Sequence, residues 1–339
     1  MTETARTGTK ARVTLADVAH LAGVSVGTAS RALSGTGRMR PETRQKVLDA
    51  VEALDFRPNH HAQNLHSGRS WTVGLMTTDG IGRFSTPVLL GAEDALGAGK
   101  ISVLLCDTRG DVIREQHHLQ VLMDRRVDGV IVTGRRTDPR PPLSGIQDIP
   151  VVYALSPSTD PEDMSVISDE EQGCRLAVDH LLASGRTRIA HVTGPERHAA
   201  AFDRARFTRR LLEASSLELA GGRAYFGNWS EAWGRRAANM VLRTAPDVDG
   251  FFCGNDQIAR GVTDALREKG IDVPDQVAVV GYDNWDIMAL ASRPPLTTID
   301  VDLMEIGRVA ALRLLDAIDD KGTPGVQKVP CKLVVRDSA

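Results

Sequence analysis

The sequence predicts a small all-α unit at the N-terminus, followed by a larger α/β body made of two doubly wound parallel-sheet lobes. Within the first 58 residues, apolar side chains recur at helical spacing. Beyond Ser70, short apolar runs alternate with helical stretches, a pattern typical of parallel sheets covered by helices on both faces. Nine or ten such runs over the remaining chain favour two similar lobes rather than one very large sheet.

The distribution of charge follows the same division. Residues 1–70 contain ten Lys and Arg against six Asp and Glu, a net charge of +4, whereas the rest of the chain carries a net charge of −7. A basic head on an acidic body suits a unit that binds a polyanion. A solvated basic tail is the alternative.

The N-terminal unit reads as three short helices over residues 13–58, after a disordered tail over residues 1–12. Thr14 stands where the N-cap of the first helix belongs, and Gly23 ends that helix. Ser25 can cap the second helix, and Pro41 suits the first turn of the third. Two short helices joined by a glycine turn and braced by a third form a helix-turn-helix headpiece, which indicates DNA binding. A generic three-helix bundle is the alternative.

Three stretches of this unit carry a resemblance to a known family. Residues 13–34 (VTLADVAHLAGVSVGTASRALS), 41–47 (PETRQKV) and 56–65 (FRPNHHAQNL) closely resemble the headpiece of the lactose-repressor (LacI/GalR) family. The resemblance extends through nearly the whole chain. It implies a repressor whose second helix enters the major groove of DNA.

The resemblance also implies which side chains read the operator. The base-reading positions correspond to Val26, Gly27 and Arg31. Arg31 can make a bidentate contact to guanine, Val26 offers apolar contact to a thymine methyl, and Gly27 has no side chain to read with. Five further predicted DNA-binding residues match or lie near backbone-contacting positions, where each could instead serve only as a cap or be solvated: Thr14, Ser25, Ser30, Arg38 and Thr43. Leu15 is also assigned to DNA.

Residues 59–70 are predicted to form a hinge helix and linker. Asn59, Ala62 and Leu65 are assigned to DNA, with Ala62 and Leu65 on one helical face. A helix of about nine residues is marginal alone in water, so we expect its order to depend on DNA and on a partner chain. The resemblance makes Leu65 a wedge in the minor groove. The alternative is a linker whose leucine covers the next domain.

The resemblance further implies a body of the periplasmic-binding-protein type, with three chain crossings between its lobes. The first lobe is predicted to comprise residues 71–160 and 296–324, and the second lobe 161–295 and 325–339. No leucine heptads follow the last predicted strand, so we expect a homodimer on a pseudo-palindromic operator.

A small-molecule effector is expected in the cleft between the lobes, outside the carboxyl ends of the strands. Carboxylate, amide and guanidinium groups there can bind adjacent hydroxyls, and an indole offers a flat face for a sugar ring. Asn255 could instead cap a helix, and Trp229 could simply cover the edge of its lobe. The residues that match the family's effector-contacting positions, or that lie in the loop after the first strand, are Asp79, Phe84, Ser85, Arg204, Trp229, Asn255 and Asp283.

Other classes of protein are disfavoured by what the sequence lacks. The four cysteines are widely separated, which predicts no metal site and no disulfide framework, and no cofactor is expected. The sequence has no apolar leader and no run long enough to span a membrane, so we expect a cytoplasmic protein with no membrane partner. No nucleophile elbow, phosphate-binding loop or dinucleotide fingerprint is present, so an enzyme is not expected.

The sequence therefore predicts a sequence-specific transcriptional repressor under allosteric control by a small molecule, with a sugar or sugar derivative expected as effector. Two departures from the family pattern bear on that effector. The segment after Arg204 lacks the usual glycine and aromatic residue, and the strand ending at Leu155 lacks the usual Asp or Asn. The alternatives are a corepressor-type regulator responding to a nucleoside, purine or sugar phosphate, and a solute-binding protein without a DNA role.

Overall fold

A computed structural model describes residues 13–34, 39–56, 69–97, 101–146 and 149–339. The chain divides into two units, Met1–Gly68 and Arg69–Ala339. The predicted tail over residues 1–12, the assigned residues Arg38, Asn59, Ala62 and Leu65, and most of the predicted hinge lie outside the described residues.

The described part of the first unit contains three helices: α1 (Leu15–Ala22), α2 (Val26–Ser34) and α3 (Pro41–Ala53). Thr14 and Asp17 form a capping box at the start of α1, and Gly23, at φ +64°, ends it. The helices enclose a small core of aliphatic side chains, in which Val18, Ala29 and Val47 are buried. The helix-turn-helix fold is confirmed.

The second unit contains, within its described residues, eight α-helices and twelve strands. The helices are α4 (Ser85–Ala95), α5 (Val112–Asp124), α6 (Glu170–Ala183), α7 (Ala199–Ala214), α8 (Glu231–Thr244), α9 (Asp256–Glu268), α10 (Asp286–Ala289) and α11 (Leu303–Ile318). The strands are β1 (Thr72–Thr77), β2 (Ser102–Asp107), β3 (Gly129–Thr133), β4 (Val151–Ala154), β5 (Met164–Ser168), β6 (Ile189–Thr193), β7 (Tyr225–Phe226), β8 (Gly250–Cys253), β9 (Ala278–Tyr282), β10 (Thr297–Asp300), β11 (Gly325–Val329) and β12 (Lys332–Val334).

The strands form two six-stranded sheets, one in each lobe. The sheet of the first lobe has the order β11-β5-β4-β3-β1-β2 and is parallel throughout. The sheet of the second lobe has the order β12-β10-β9-β8-β6-β7, and only β12 is antiparallel to its neighbour. Helices cover both faces, which explains the apolar runs β3 and β8, in which every residue is buried. The predicted class of two doubly wound α/β lobes is confirmed.

The predicted lobe boundaries are wrong by one strand at each crossing. Strands β5 and β11 pair with each other and belong to the first sheet, whereas β10 pairs with β9 in the second. The chain therefore crosses after Ser168, after Asp300 and after Val329. Strand β5 (MSVIS) mixes serines with apolar residues, and β11 (GVQKV) lies at a sheet edge with an exposed middle, so neither has the continuous apolar run of a central strand.

Among the described residues, no helix combines the length and the apolar character needed to cross a membrane.

Candidate functional site

Helix α2 of the headpiece presents one exposed face. Val26, Gly27, Ser30 and Arg31 are exposed, whereas Ala29 and Ala32 on the opposite side are buried in the headpiece core. Val26 is an apolar side chain with 49% of its surface exposed. The four positions that the sequence assigns to base or backbone contacts therefore share one accessible face of a helix short enough to lie in a DNA groove.

The other described residues assigned to DNA also have roles in the headpiece fold. The Oγ1 atom of Thr14 accepts a hydrogen bond from the backbone N–H of Asp17, and the Oγ of Ser25 accepts one from Thr28 at 3.2 Å. Leu15 and Thr43 are half-buried. For Thr14 and Ser25, capping is thus observed, and their exposure leaves contact with a phosphate open.

The larger unit contains a cleft of about 450 Å³ between its lobes, lined by side chains that follow the carboxyl ends of strands of both sheets. Six of the seven predicted effector residues line it: Asp79, Phe84, Arg204, Trp229, Asn255 and Asp283. The seventh, Ser85, does not line the cleft. It is buried behind Asp79, and its Oγ lies 3.4 Å from a carboxylate oxygen of Asp79. The assignment of Ser85 as a cleft residue is therefore wrong in this structure.

Asp79 is held at the start of helix α4. One of its oxygens accepts backbone hydrogen bonds from Phe84 at 2.6 Å and from Ser85 at 3.1 Å. A carboxylate at a helix N-terminus is stabilised by the helix dipole and by the free N–H groups of the first turn. Asp79 thus fixes the loop that carries Phe84 into the cleft.

Arg204 is buried and tied to a carboxylate that the sequence did not single out. Its Nε and Nη2 donate to the two oxygens of Glu170 at 2.7 and 2.9 Å, and its Nη1 donates to the backbone carbonyl of Gly254 at 2.6 Å. The guanidinium also lies 3.7 Å above the ring of Tyr282. Burial alone would lower the pKa of Arg204, but Glu170 and Tyr282 hold it well above its ordinary value. Arg204 is a permanent cation in the floor of the cleft.

Asp283 joins the two lobes through an arginine of the first. One of its oxygens accepts a hydrogen bond from Nη2 of Arg83 at 2.5 Å, and the other lies 3.6 Å from Nη1 of Arg204. The guanidinium of Arg83 lies between two rings, 4.7 Å from that of Phe84 and 4.2 Å from that of Trp285. Burial raises the pKa of Asp283, and the two arginines oppose that rise.

A second carboxyl group lies behind Asp283. Asp256 is fully buried, and its oxygens accept hydrogen bonds from the hydroxyl of Thr298 at 2.5 Å and from the backbone N–H of Trp285 at 2.6 Å. Burial, together with the charge of Asp283, raises the pKa of Asp256 to about 7. Asp256 therefore anchors the loop from Asp283 to Trp285 from behind.

Asn255 and Trp229 each have a structural role besides lining the cleft. The Oδ1 of Asn255 accepts a hydrogen bond from Ile258 at 2.9 Å and caps helix α9, which is the structural alternative that its position suggested. The indole of Trp229 packs directly on Gly194, where an added Cβ would come within 2.1 Å of the ring. Its N–H donates to Nδ1 of His198 at 3.0 Å, and burial lowers the pKa of that histidine.

A further contact crosses the cleft. Asp138 follows strand β3 in the first lobe, and its Oδ1 accepts the backbone N–H of Ala199 at 2.8 Å, at the first turn of helix α7 in the second lobe. Its other oxygen lies 3.1 Å from Nε of Arg136. A carboxylate of one lobe is thus the N-terminal partner of a helix in the other.

Several residues that line the cleft were not predicted from the sequence. Arg83, Asp138, Glu170, His198 and Trp285 all line the cleft. Two of them could have been predicted from the sequence, since Arg83 precedes the predicted Phe84 and Trp285 follows Asp283 in the same loop. Glu170 follows strand β5, which was itself missed, so no signal placed it at the carboxyl end of a strand.

The cleft can bind a polar molecule. Four arginines line it, Arg83, Arg135, Arg136 and Arg204, along with the carboxylates of Asp79, Asp138, Glu170 and Asp283. Aromatic rings on both lobes complete the lining. Such a mixture of charged groups and flat apolar faces suits a ligand with hydroxyls or charged groups on a ring. Within the described residues, no group of three or more His, Cys, Asp or Glu could hold a metal ion.

A headpiece with an exposed second helix, joined in one chain to a two-lobed body with a polar cleft, is the architecture of a ligand-responsive DNA-binding regulator. Residues 14–59 match the description "Bacterial regulatory proteins, lacI family", and residues 178–339 match "Periplasmic binding protein-like domain".

Relatives and solved structures agree with these matches over almost the full length. The HTH-type transcriptional repressor PurR of Vibrio vulnificus is 30% identical over 96% of this chain and 98% of its own, and the catabolite control protein A of Priestia megaterium is 31% identical over 96% and 99%. The Lac repressor dimer bound to operator and the anti-inducer ONPF superposes with a TM-score of 0.76 at 28% identity, covering 96% of this chain and 99% of that chain. A complex of the transcriptional regulator CelR with cellobiose gives a TM-score of 0.65 at 29% identity, covering 97% and 100%. The chain belongs to the LacI family of DNA-binding transcriptional regulators.

Proposed function

We propose that this protein is a dimeric, sequence-specific transcriptional repressor whose affinity for a pseudo-palindromic operator is set by a small molecule in the cleft. The observation that carries the proposal is the pairing, in one chain, of the exposed α2 face with a polar cleft of about 450 Å³. That volume is within the range of ordinary ligand sites, about 300–1,000 Å³. The Lac repressor to which the chain is similar is described as a dimer on its operator, which supports the dimer.

Arg31 is proposed as the principal reader of base identity, with Val26 adding apolar contact. Both side chains are exposed on the α2 face, and Gly27 between them brings the backbone of the helix close to the groove without reading a base. The proposed hinge with its wedge Leu65 rests on the sequence resemblance alone.

A sugar or sugar derivative is proposed as the effector. The carboxylate of Asp283 and the amide of Asn255 are suited to hydroxyl groups, and Trp229 and Trp285 offer flat faces for a ring. The similar CelR structure contains cellobiose, which favours this class of ligand.

The second candidate is an anionic or purine effector that promotes DNA binding. The four arginines in the cleft lining favour it, as does the similarity to repressors named PurR. Because a ligand shifts the equilibrium toward the state that it binds more tightly, the same cleft could serve either logic.

No catalytic role is proposed for the cleft. The polar groups identified above are engaged with each other: Glu170 holds Arg204, Asp283 holds Arg83, and Asp79 caps a helix. Such groups fix the walls of the cleft and can bind a ligand, and the relative PurR is named a transcriptional repressor.

The DNA-binding part is tested by selecting fragments from a random DNA library with the full-length protein and measuring affinity for the selected sequence. We expect Arg31→Ala to lose about 1–3 kcal/mol of binding to the selected site and to relax the preference at one base pair of each half-site. Arg44→Ala, at an exposed position of α3 outside the α2 face, is the matched control. Equal losses on selected and random DNA for Arg31→Ala would remove Arg31 from the base readers.

Leu65→Ala should likewise weaken selected-site binding more than random-site binding.

The effector part is tested by thermal-shift measurements with sugars, nucleosides and sugar phosphates. A ligand at 100 times its dissociation constant stabilises the fold by about 2.7 kcal/mol. The stabilising compound should change the operator affinity, and Asp283→Ala should abolish both effects. Asp275→Ala, at an exposed position, should keep them. An Asp283→Ala protein with a normal response would contradict the cleft as the effector site.

A further inference from the structure

The first lobe contains a second pocket of about 320 Å³, which shares part of its lining with the cleft. It lies where strands β1, β3 and β4 end, with Thr78, Thr133 and Ser156 in its lining. Strands β1 and β3 are neighbours in the sheet although β2 lies between them in the chain. In open α/β sheets, ligands bind at such a switch point in strand order.

Arginine is the commonest charged residue in the lining of this pocket. Its lining includes four arginines, Arg109, Arg135, Arg136 and Arg140, and one carboxylate, Asp138. We call this site, defined by the four arginines and Thr133, the arginine pocket.

Three of these arginines have a carboxylate partner. Arg140 is held bidentately by Glu115 at 3.0 Å, and Nε of Arg136 lies 3.1 Å from Asp138. Arg109, with 70% of its side chain exposed, lies 3.9 Å from Asp107. Arg135 makes no ion pair with any residue that the structure describes. Its charge is therefore available to an anion.

A buried hydroxyl in the same pocket points to the same kind of ligand. Thr133 is 2% exposed, and its Oγ1 is buried without a hydrogen-bond partner among the described residues. A buried hydroxyl left unpaired destabilises the fold, because it has lost its hydrogen bonds to water without a replacement. Because Thr133 ends strand β3 in the pocket wall, rotation of its side chain toward the pocket would let the hydroxyl donate to a ligand oxygen there.

We propose that the arginine pocket binds a phosphate group, and that this phosphate is part of the effector whose remaining polar body lies in the cleft. This rests on the proposed function, because it takes the cleft to be an effector site. Arg135, Arg136 and Asp138 line both cavities, so one molecule can occupy them together. Guanidinium groups bind phosphate oxygens through paired N–H donors, and the Thr133 hydroxyl adds a neutral donor.

Inorganic phosphate titrated into the full-length protein by calorimetry, at constant ionic strength, is the direct test. Saturable binding of one phosphate per chain is expected, with sulfate competing and chloride not competing. Arg135→Ala should weaken the affinity about tenfold or more, and Thr133→Val should weaken it several-fold without removing a charge. Arg125→Ala removes an exposed arginine that does not line the pocket, at the C-terminal cap of helix α5, and should leave the affinity unchanged.

Titration with glucose 6-phosphate, compared with inorganic phosphate, distinguishes a phosphate ester from free phosphate as the ligand. If the phosphate belongs to the effector, the ester should bind more tightly than inorganic phosphate, and Asp283→Ala should reduce the affinity for the ester but not for inorganic phosphate. Absence of saturable phosphate binding, or an Arg135→Ala protein that binds it as well as the wild type, would overturn the proposal. Failure of the wild type to select any sequence from random DNA would instead overturn the proposed function and leave the phosphate result standing.

Discussion

The guanidinium of Arg204 shows how the cleft keeps a charge away from water. It has 5% of its side chain exposed, and Glu170, the Gly254 carbonyl and the Tyr282 ring surround it. A bidentate pair of this kind compensates for the loss of hydration only while both partners remain. Arg204 therefore connects the start of α6, the end of β8 and the end of β9 through contacts within the protein itself.

Glu170→Gln should destabilise the second lobe by about 3–5 kcal/mol, because it leaves the Arg204 charge buried without its carboxylate. Glu171→Gln is the matched control in the next position of the same helix. Glu171 has 36% of its side chain exposed and pairs with Arg175 and Arg210 on the surface, so its loss should cost about 0–1 kcal/mol. Urea unfolding of both variants measures the difference. Similar costs for the two glutamates would contradict the structural role of Glu170.

Asp256 makes the stability of the second lobe depend on pH. Because its folded pKa, about 7, is above its ordinary value of 3.8, the folded state keeps a proton that the unfolded state releases. The stability associated with this group is therefore fully present below about pH 4 and is lost as the pH rises through about 7.

Asp256→Asn should remove that dependence while keeping a side chain that can bond to Thr298 and Trp285. The unfolding temperature of the variant minus that of the wild type should increase from pH 5 to pH 7.5 and level off above. The corresponding change in the difference between their free energies of unfolding is about 3 kcal/mol. Asp275→Asn, at an exposed position, should show no such trend. A difference that stays constant over this range would show that Asp256 is already ionised when folded at pH 5.

Among the elements, one helix pair in each lobe packs closely through a glycine on each helix. In the first lobe, a Cβ added to Gly91 of α4 would lie 1.8 Å from the carbonyl oxygen of Met304, and one added to Gly307 of α11 would lie 2.0 Å from that of Val88. In the second lobe, a Cβ added to Gly234 of α8 would lie 2.1 Å from the carbonyl oxygen of Ile258, and one added to Gly261 of α9 would lie 2.0 Å from that of Glu231. Helices that cross backbone to backbone need glycine on both sides, because any side chain would push them apart.

Gly307→Ala should destabilise the first lobe by about 1–3 kcal/mol, because the atom in its way is main chain and cannot rotate aside. The gain in helix propensity from alanine offsets only part of this cost. Gly27→Ala is the comparison: nothing lies within 4 Å of its added Cβ, so this exposed helix should gain about 0.5–1 kcal/mol. Thermal unfolding of the two variants gives the two signs. A stabilised Gly307→Ala protein would contradict the close crossing.

Which elements could be predicted depended on the strength of their local pattern. Central strands such as β3 and β8 are fully buried and read as continuous apolar runs. Strand β7 has two residues and β11 has an exposed middle, so neither has a periodic signal, and their pairing is set by tertiary contacts. The capping box at Thr14 is local and was predictable, whereas the position of each chain crossing depends on which distant strand a segment joins.

For the whole molecule, the site was predictable where a residue follows a recognisable strand. Asp283 follows β9 and Asn255 follows β8, and both reach the cleft. Ser85 was misplaced because the loop after β1 turns back on Asp79, which uses the serine N–H as a cap. Arg83 and Asp138 form bridges between lobes, and such partners are about 200 and 61 positions apart in the chain, so no local pattern indicates them.

These bridges bear on how the body opens and closes. The Arg83 and Asp283 side chains are 13% and 11% exposed, and their contact joins the first lobe to the second directly inside the cleft. An effector that binds the carboxylate of Asp283 must displace Arg83 from it or bind to it beside Arg83. The contact between Arg83 and Asp283 thus joins the two lobes, and a ligand that bound Asp283 would exchange one set of cross-lobe contacts for another.

Arg83→Ala should therefore open the cleft of the free protein, which small-angle X-ray scattering would record as a larger radius of gyration. Asp283→Asn should open it by a similar amount, and the double variant should add little to either, because both changes remove the same pair. Arg308→Ala removes an arginine that pairs within its own helix with Glu305, so it should leave the radius unchanged. If Arg83→Ala also leaves the radius unchanged, or if the two changes add in full, then the contact between Arg83 and Asp283 does not hold the lobes together. In that case the bridge from Asp138 to the first turn of α7 becomes the contact to break next.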